Sequence, residues 1–577
     1  MAEKHVYRFG VDENGVDVTE KAGATPDEAK WITGGKGCNL AEMASIGLPV
    51  PPGFTIDCQT CVWYSTHNNT WPEGILDTIA KYQADLEKRM GKKLGDANDP
   101  LLVSVRSGAP FSMPGMMDTV LNLGLNDTSV QGLIKQTGNE RFAWDSYRRF
   151  VSMFSDVVMD VDKQLFEDAL NEKKAEKGVK LDTELDAGDL KDLVKTFKEI
   201  FCANVDGQKY PEVVKDGKVS FPDDPYLQLR LAEQAVFGSW MNDRAIVYRA
   251  ANKIPDNLGT AVNVQTMVFG NKGNTSATGV AFTRNPADGT NERYGDFLVN
   301  AQGEDVVAGI RNTQPIADLV KIPELKEAGE ELFHVFEVLE DHYHDMMDIE
   351  FTIEQGKLWM LQTRVGKRTA LSALRVAIQM VQEGRITKEQ AVMRVAPDQL
   401  DQLLHPQFDP SAKYDVLTKG MNASPGAAVG EVVFSSADAV AAKEAGTPCV
   451  LVRWETTPDD LRGMVAAEGI LTSHGGKTSH AAVIARGMGA PCVCGAEALQ
   501  IDAKNKVVKV AGTDVVLHEG DVISINGTTG DVIVGSVPLV RPELTGDLET
   551  MLQWADEIRL DSNRGHAFGV RANADNL

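Results

Sequence analysis

The sequence predicts a mixed α/β and α+β protein built of several domains, and three observations carry that prediction. The chain has 577 residues, roughly twice the 250–300 at which a single hydrophobic core stops growing. Strand-like and helix-like runs alternate along it, interrupted by a largely helical block at about 140–250. Beyond residue 411, short apolar strands with glycine turns surround a helix that carries His480 in its first turn.

Composition narrows the function classes. At 43% apolar and 24% charged the chain is ordinary globular protein. A formal net charge of −25 argues against a nucleic-acid partner, whose phosphates need a basic surface, so any phosphate site must be a local positive pocket. Seven cysteines, an odd and scattered number, fit a reducing compartment. Cys58 and Cys61 form a CxxC with no second Cys or His pair nearby, and Cys492 and Cys494 read as small packing residues on a strand. No apolar run reaches the ~20 residues of a membrane span, and MAEKHVYRF lacks a signal-peptide core. The expectation is a cytoplasmic protein with no membrane partner.

Taken in order, WITGGKGCNLAEMASIGLPVPPGFTI (31–56) reads as a glycine loop, an amphipathic helix and a proline-punctuated approach to a strand. LLVSVRSGAPFSMPGMMDTVLNLG (101–124) reads as a strand, a loop rich in Gly, Pro and Met, and a second strand. Each loop carries a cation, Lys36 and Arg106. In the helical block, Leu190, Leu193, Val194, Phe197, Ile200 and Phe201 share one helix face. Arg141, Arg148 and Arg149 in that block face either a phosphate or, more simply, water.

Strands return at 260–270 and 278–289 and culminate in the hairpin DIEFTIEQGKLWMLQTR (348–364). There Asp348, Glu350, Thr352 and Glu354 alternate with Ile349, Phe351 and Ile353, which puts the acids on one face. Two carboxylates two positions apart can share a Mg²⁺, and Gln362 and Arg364 on the return strand suit its phosphate ligand. The same alternation also describes an edge hairpin with solvated charges. Residues 366–410 read as a helical linker, 411–540 as a compact domain with tight turns at Gly426 and Gly430, and 541–560 as one more helix.

The most telling segment is GGKTSHAAVIARGMGAPCVCG (475–495). Gly475 and Gly476 allow backbone N–H groups to approach an anion, Thr478 and Ser479 are N-cap residue types, and AAVIAR continues as helix until Gly487 and Gly489. His480 then lies where free N–H groups and the helix dipole favour negative charge, and a neutral imidazole there can attack phosphorus. Gly476-Lys477-Thr478 mimics the end of a phosphate-binding P-loop. That motif requires a glycine five positions earlier, where Leu471 stands.

LTSHGGKTSHAAVIARGMG resembles the phosphohistidine domain of the pyruvate, phosphate dikinase family, with Lys477 in place of the family's common Met. GGKGCNLAEM, PVPPGFTI, SVRSGAPFSMPGMMDTVLNLG, TGVAFTRNPADG and DIEFTIEQGKLWMLQTRVGKRTA are similar to the family's nucleotide-domain segments, in order. The resemblance implies an ATP-grasp nucleotide-binding domain over 1–365, a linker, a swivelling β/β/α phosphohistidine domain over 411–540, and over 541–577 a helix and the start of a C-terminal barrel that is otherwise absent. It implies that Lys36, Arg106, Gly115, Met116, Asp118, Gln362 and Arg364 bind ATP or AMP, that Asp348 and Glu350 hold Mg²⁺, and that the 107–118 loop covers the phosphates.

By the same resemblance, His480 is the phosphohistidine, within the loop of Gly475, Gly476, Thr478 and Ser479. Thr456 and Thr457 lie near it or act as caps, and Thr478 is a regulatory phosphorylation site in plant members. The implied reaction converts ATP, phosphate and pyruvate to AMP, pyrophosphate and phosphoenolpyruvate. Only the ATP and phosphate steps are expected without the barrel. A phosphoenolpyruvate synthase-like kinase and an inactive nucleotide-binding truncation are the alternatives. The full-length form is expected to be a homodimer, and organelle targeting stays open beside the cytoplasm.

Overall fold

The structure, a computed structural model, describes residues 4–12, 15–113, 115–307, 313–396, 399, 407–409, 411–540 and 546–560. The strand expected at 569–577 and part of the linker after residue 396 lie outside the described residues. Two compact units form, each from discontinuous chain: Met1–Ala277 with Phe351–Arg364, and Thr278–Glu350 with Val365–Leu577. The span 1–365 therefore contributes to both.

The first unit is organised on a five-stranded sheet in the order Val6–Phe9, Gly53–Ile56, Ala261–Thr266, Val103–Gly108, Thr119–Leu123. All four pairings in it are antiparallel. Among the helices packed against it is the helical stretch Pro26–Ser45, begun by Thr25, whose side chain accepts from the Glu28 N–H, and by Pro26 in the first turn. The glycine loop expected within 31–56 is reduced to one residue: Gly34, with non-helical φ 69° and ψ 170°, separates two helical segments, and the helix resumes directly after it. A Cβ there would sit 1.6 Å from the Gly108 carbonyl oxygen, so the kink is where the chain at 108 crosses the helix.

The helical block forms as expected, and its apolar face is core. Leu190, Leu193, Val194, Phe197 and Phe201 on the helix Ala187–Asn204 are all buried, each contributing about 1.5–3 kcal/mol by transfer bookkeeping. Ile200 is only partly covered. Asp186 and Asp189 cap the start of that helix reciprocally. The arginines of the block are neither solvated nor a phosphate site. Arg148 and Arg149 pair with buried Asp145 at 2.6 and 3.1 Å and approach Asp182 at 3.3 and 3.5 Å, while Arg141 donates to the Asp182 and Leu185 carbonyls. Burial works against the Asp145 charge, yet Arg148 and Arg149 hold its carboxyl well below the usual carboxylate range.

Cys58 and Cys61 lie buried in a helix capped by Asp57. Burial pushes both thiols up, Cys61 to about 11, so they pack as neutral side chains.

A second five-stranded sheet has the order Gln314–Pro315, Tyr294–Val299, Ala277–Phe282, Met347–Glu354, Lys357–Val365, the last two forming a hairpin. Buried Arg284 ties the helix Lys326–Tyr343 to the segment after Ala370–Gln382 through Glu340 at 2.7 Å and Glu383 at 2.6 Å. The linker helices Ala370–Gln382 and Lys388–Arg394 share a core with Asp547–Arg559, built on Leu374, Ile378, Ala391, Leu548, Met551 and Trp554.

Residues 411–540 form three layers. The central eight-stranded sheet is parallel through Ala427–Val433, Cys449–Arg453, Gly469–Thr472 and Cys492–Cys494, with antiparallel strands at both flanks. One face packs on a meander of Leu499–Asp502, Val507–Val510 and Val516–His518. The other packs on helices Ser436–Glu444, Leu461–Ala466 and His480–Met488. The chain enters and leaves this domain side by side, since Gln407–Phe408 pairs antiparallel with Leu539–Val540. No helix among the described residues is long and apolar enough to cross a membrane.

Candidate active site

The strand Gly469–Thr472 delivers the chain into a loop that ends at His480, the first residue of the helix His480–Met488. Gly475 takes φ 98°, a conformation that side chains disfavour. Ser479 stands at the N-cap position but makes no side-chain cap. Its hydroxyl points to the Cys494 sulfur at 3.7 Å. Thr478 does not cap either; its hydroxyl donates to Asp296 Oδ2 at 3.5 Å. The capping expected of these two residues is thus corrected, because both hydroxyls are spent sideways. What remains is a helix start with no side-chain cap among the described residues, a place that favours an anion. Gly487 falls inside the helix, and Gly489 at φ 67° closes it.

His480 is the centre of this arrangement. Its Nδ1 lies 3.0 Å from Thr456 Oγ1, whereas buried Nε2 has no hydrogen-bond partner among the described residues. Burial lowers the imidazole pKa, the Lys367 charge adds to that, and Asp460 opposes it. Asp460 is held by the Thr457 N–H at 2.9 Å and by Arg453 at 3.4 Å. Thr457 and Asp460 form a reciprocal cap. The two threonines therefore divide: Thr456 meets the imidazole and Thr457 caps.

Sequence reasoning missed four features here. Asp296 is buried against the loop, and burial raises its carboxyl against the pull of Thr313, Lys477, Thr478 and Arg486. Lys477 Nζ sits 5.2 Å from the Tyr294 ring centre. Buried Arg486 donates to the carbonyls of Ala423 and Lys477 at 2.8 Å each, tying the loop to the sheet. Trp454 stacks on His474, the ring centres 4.5 Å apart. The only sequence signal for any of these was the Lys477 exchange.

The first unit assembles a second cluster. Lys36 follows the Gly34 kink, with its Cβ 3.1 Å from where a Gly108 Cβ would be. Arg106 lies two residues before Gly108 on the adjacent strand, its carbonyl accepting from Asn263 Nδ2 at 3.4 Å. Asn39, on the same helix as Lys36, donates to the Thr363 carbonyl at 2.8 Å, which brings the Gln362–Arg364 stretch alongside. Gly115 has φ 71° and Met116 is buried. Asp118 pairs with Arg244 and accepts from Asn242 at 3.3 Å, so it anchors the end of the 107–118 segment; its burial raises its carboxyl.

Asp348 and Glu350 belong to the second unit, two positions apart on Met347–Glu354, the first buried and the second half-buried. The third acid of that face is spent: Glu354 pairs with Lys272 at 2.7 Å and accepts from the Phe269 N–H at 3.2 Å. Two carboxylate donors fit Mg²⁺, which keeps water and phosphate oxygens in its remaining positions.

Comparison with known proteins matches two stretches of the chain. Residues 66–323 and 317–385 match the family described as pyruvate phosphate dikinase, AMP/ATP-binding domain, and residues 439–530 match the mobile domain of PEP-utilising enzymes. The molecule is thus a mixed α/β multidomain protein with a nucleotide-binding part and a PEP-utiliser part. It belongs to the pyruvate, phosphate dikinase family. It is 52% identical over 574 residues to the pyruvate, phosphate dikinase of Rhizobium meliloti, covering 98% of this chain and 61% of the relative. For that of Clostridium symbiosum the identity is 50% over 546 residues, covering 94% and 60%. For the chloroplastic enzyme of Mesembryanthemum crystallinum it is 53% over 548 residues, covering 95% and 55%. The chain therefore spans rather more than half the length of these relatives.

Proposed function

We propose that the chain performs the ATP and phosphate half of pyruvate, phosphate dikinase chemistry, with His480 as the group carrier. The observation that carries the reading is the state of His480: Nδ1 engaged by Thr456, Nε2 bare, and the ring held neutral by burial at an uncapped helix start. With its proton on Nδ1 directed to Thr456, the Nε2 lone pair attacks the β-phosphorus of ATP. The bond from that phosphorus to the α-bridging oxygen breaks and AMP leaves. An oxygen of inorganic phosphate then attacks the outer phosphorus, pyrophosphate departs, and a phosphoryl group remains on Nε2.

Lys36, Arg106 and Arg364 supply the positive pocket that the net charge of −25 required to be local, and Gln362 orients the nucleotide. Gly115, Met116 and the anchored Asp118 set the cover over the phosphates. Mg²⁺ held by Asp348 and Glu350 would neutralise phosphate charge during transfer. The ATP-grasp arrangement, a swivelling motion of the His480 domain, transfer to pyruvate, a homodimer and a cytoplasmic or organellar location are proposed for the whole protein. A phosphoryl group on Thr478 would put about two negative charges beside buried Asp296 and break its seat.

The test is β-labelled ATP with Mg²⁺. Label should appear on the protein as acid-labile, base-stable phosphohistidine with release of AMP, and pyrophosphate should form only when phosphate is added. His480→Asn should abolish labelling and leave ATP binding, while His474→Asn keeps the label. Label that persists on His480→Asn overturns the mechanism, and pyrophosphate-free turnover with water as acceptor points to the synthase.

A further inference from the structure

The short segment 366–369 between the strand Lys357–Val365 and the helix Ala370–Gln382 is pinned on both sides of Lys367. Gly366 N–H donates to the Met346 carbonyl at 2.8 Å. Arg368 pairs with Asp345 at 2.7 Å, and Thr369 is bound to the carbonyls of Pro286 and Ala287 while it caps the next helix. A backbone so fixed aims the Lys367 side chain reproducibly. That side chain runs to the His480 helix: a Cβ on Gly487 would lie 4.0 Å from Lys367 Cδ. Gly487 follows His480 by seven positions, two turns along the same face.

We propose that Lys367 is the counter-cation for the phosphoryl group carried by His480. The inference rests on the reading of His480 as the group carrier. A cation on this face penalises imidazolium and favours a phosphorylated ring, so one charge keeps the nucleophile neutral and then stabilises its product. The direction of the His480 titration supports this, since the Lys367 charge pushes it down alongside burial. Charged groups on the elements around this helix are Arg453 at the end of Cys449–Arg453, Glu455, Asp459 and Asp460 from the connection that follows, Lys477 and Arg486 from its own loop and helix, and Asp296 from Tyr294–Val299. Asp460 is the acid that opposes Lys367 at the ring.

Lys367→Met and Lys367→Arg separate charge from packing, because both keep a long stem over Gly487. Titration of the His480 imidazole by NMR in the unphosphorylated protein should move to higher pH in Lys367→Met and stay near the parent value in Lys367→Arg. Labelling from β-labelled ATP should slow by roughly tenfold to a hundredfold in Lys367→Met, with ATP affinity unchanged, and should recover to within about threefold in Lys367→Arg. Parent-like titration and labelling in Lys367→Met overturn the inference alone. Absence of label in the parent protein overturns the carrier reading and this inference with it.

Discussion

Two glycine-rich segments carry the chemistry of this chain, and they use glycine for different ends. At Gly34 the glycine joins two helical segments, and its φ of 69° breaks the helix where the backbone at Gly108 crosses it. Lys36 and Arg106 are brought together as a result. At Gly475 the glycine precedes a helix, and the turn it permits leaves the first N–H groups of His480–Met488 without a side-chain cap. The first glycine creates a crossing and the second exposes a helix end. A sequence in which both read as a Gly-Gly-Lys loop does not distinguish them, because the difference lies in what each loop packs against.

The comparison breaks most sharply at Gly34. Gly34→Ala places a methyl 1.6 Å from a carbonyl oxygen at a positive φ, which should cost about 3 kcal/mol or more and remove nucleotide-dependent labelling. Gly35→Ala meets its nearest atom at 3.4 Å and should shift the thermal midpoint little. Equal melting curves for the two variants would remove the crossing from the account.

The hairpin acids come next. Asp348→Asn or Glu350→Gln should reduce labelling by about a hundredfold and raise the magnesium needed for half-maximal rate. Glu354→Gln should leave labelling near normal and lower stability by about 1 kcal/mol through the loss of its Lys272 partner. A magnesium titration alongside thermal melting distinguishes these outcomes, and identical effects at all three positions would return the hairpin to a solvated edge.

On the histidine side the expected effects are smaller. Thr456→Val removes the hydrogen bond to Nδ1 and should slow labelling by roughly tenfold without changing the melting midpoint. Thr457→Val removes a cap, costing about 1 kcal/mol, and should leave the rate alone. The smallest effect is in the pH profile. Labelling follows the neutral imidazole, and burial holds the folded pKa below the ordinary value of 6.5. The rate should therefore stay level as pH falls past 6.5 and drop only when the lowered pKa is reached. A midpoint at or above 6.5 would mean that the ring is solvated during transfer.

Local pattern made a good part of this legible. The face of Leu190, Leu193, Val194, Phe197 and Phe201 follows the helix period, and the alternation at 348–354 follows the strand period; each signal is contained in one short stretch of sequence. Asp296 and Thr478 are 182 residues apart, and no period in the sequence connects them. The ties of Arg141, Arg148 and Arg149 to Asp182 come from beyond their own helix in the same way, whereas Asp145, the nearest partner of Arg148 and Arg149, lies three and four positions away on that helix. The capping assigned to Thr478 and Ser479 follows residue type correctly and fails because tertiary partners, Asp296 and Cys494, outcompete the local N–H groups for their hydroxyls. The discontinuity of the two units is a property of tertiary contact that leaves no mark on composition.

The antiparallel pairing of Gln407–Phe408 with Leu539–Val540 gives the His480 domain a single doorway. Everything between those strands is, in topological terms, a cassette: its two ends emerge as neighbours, and its eight-stranded sheet with both flanking layers is completed from within. Excising 411–538 leaves ends that a short Gly-Ser bridge can rejoin, because closing neighbouring ends adds little chain entropy. The helices on either side, which share one core around Leu374 and Trp554, keep their own packing, and the histidine carrier becomes a module that can be exchanged, tagged or expressed by itself.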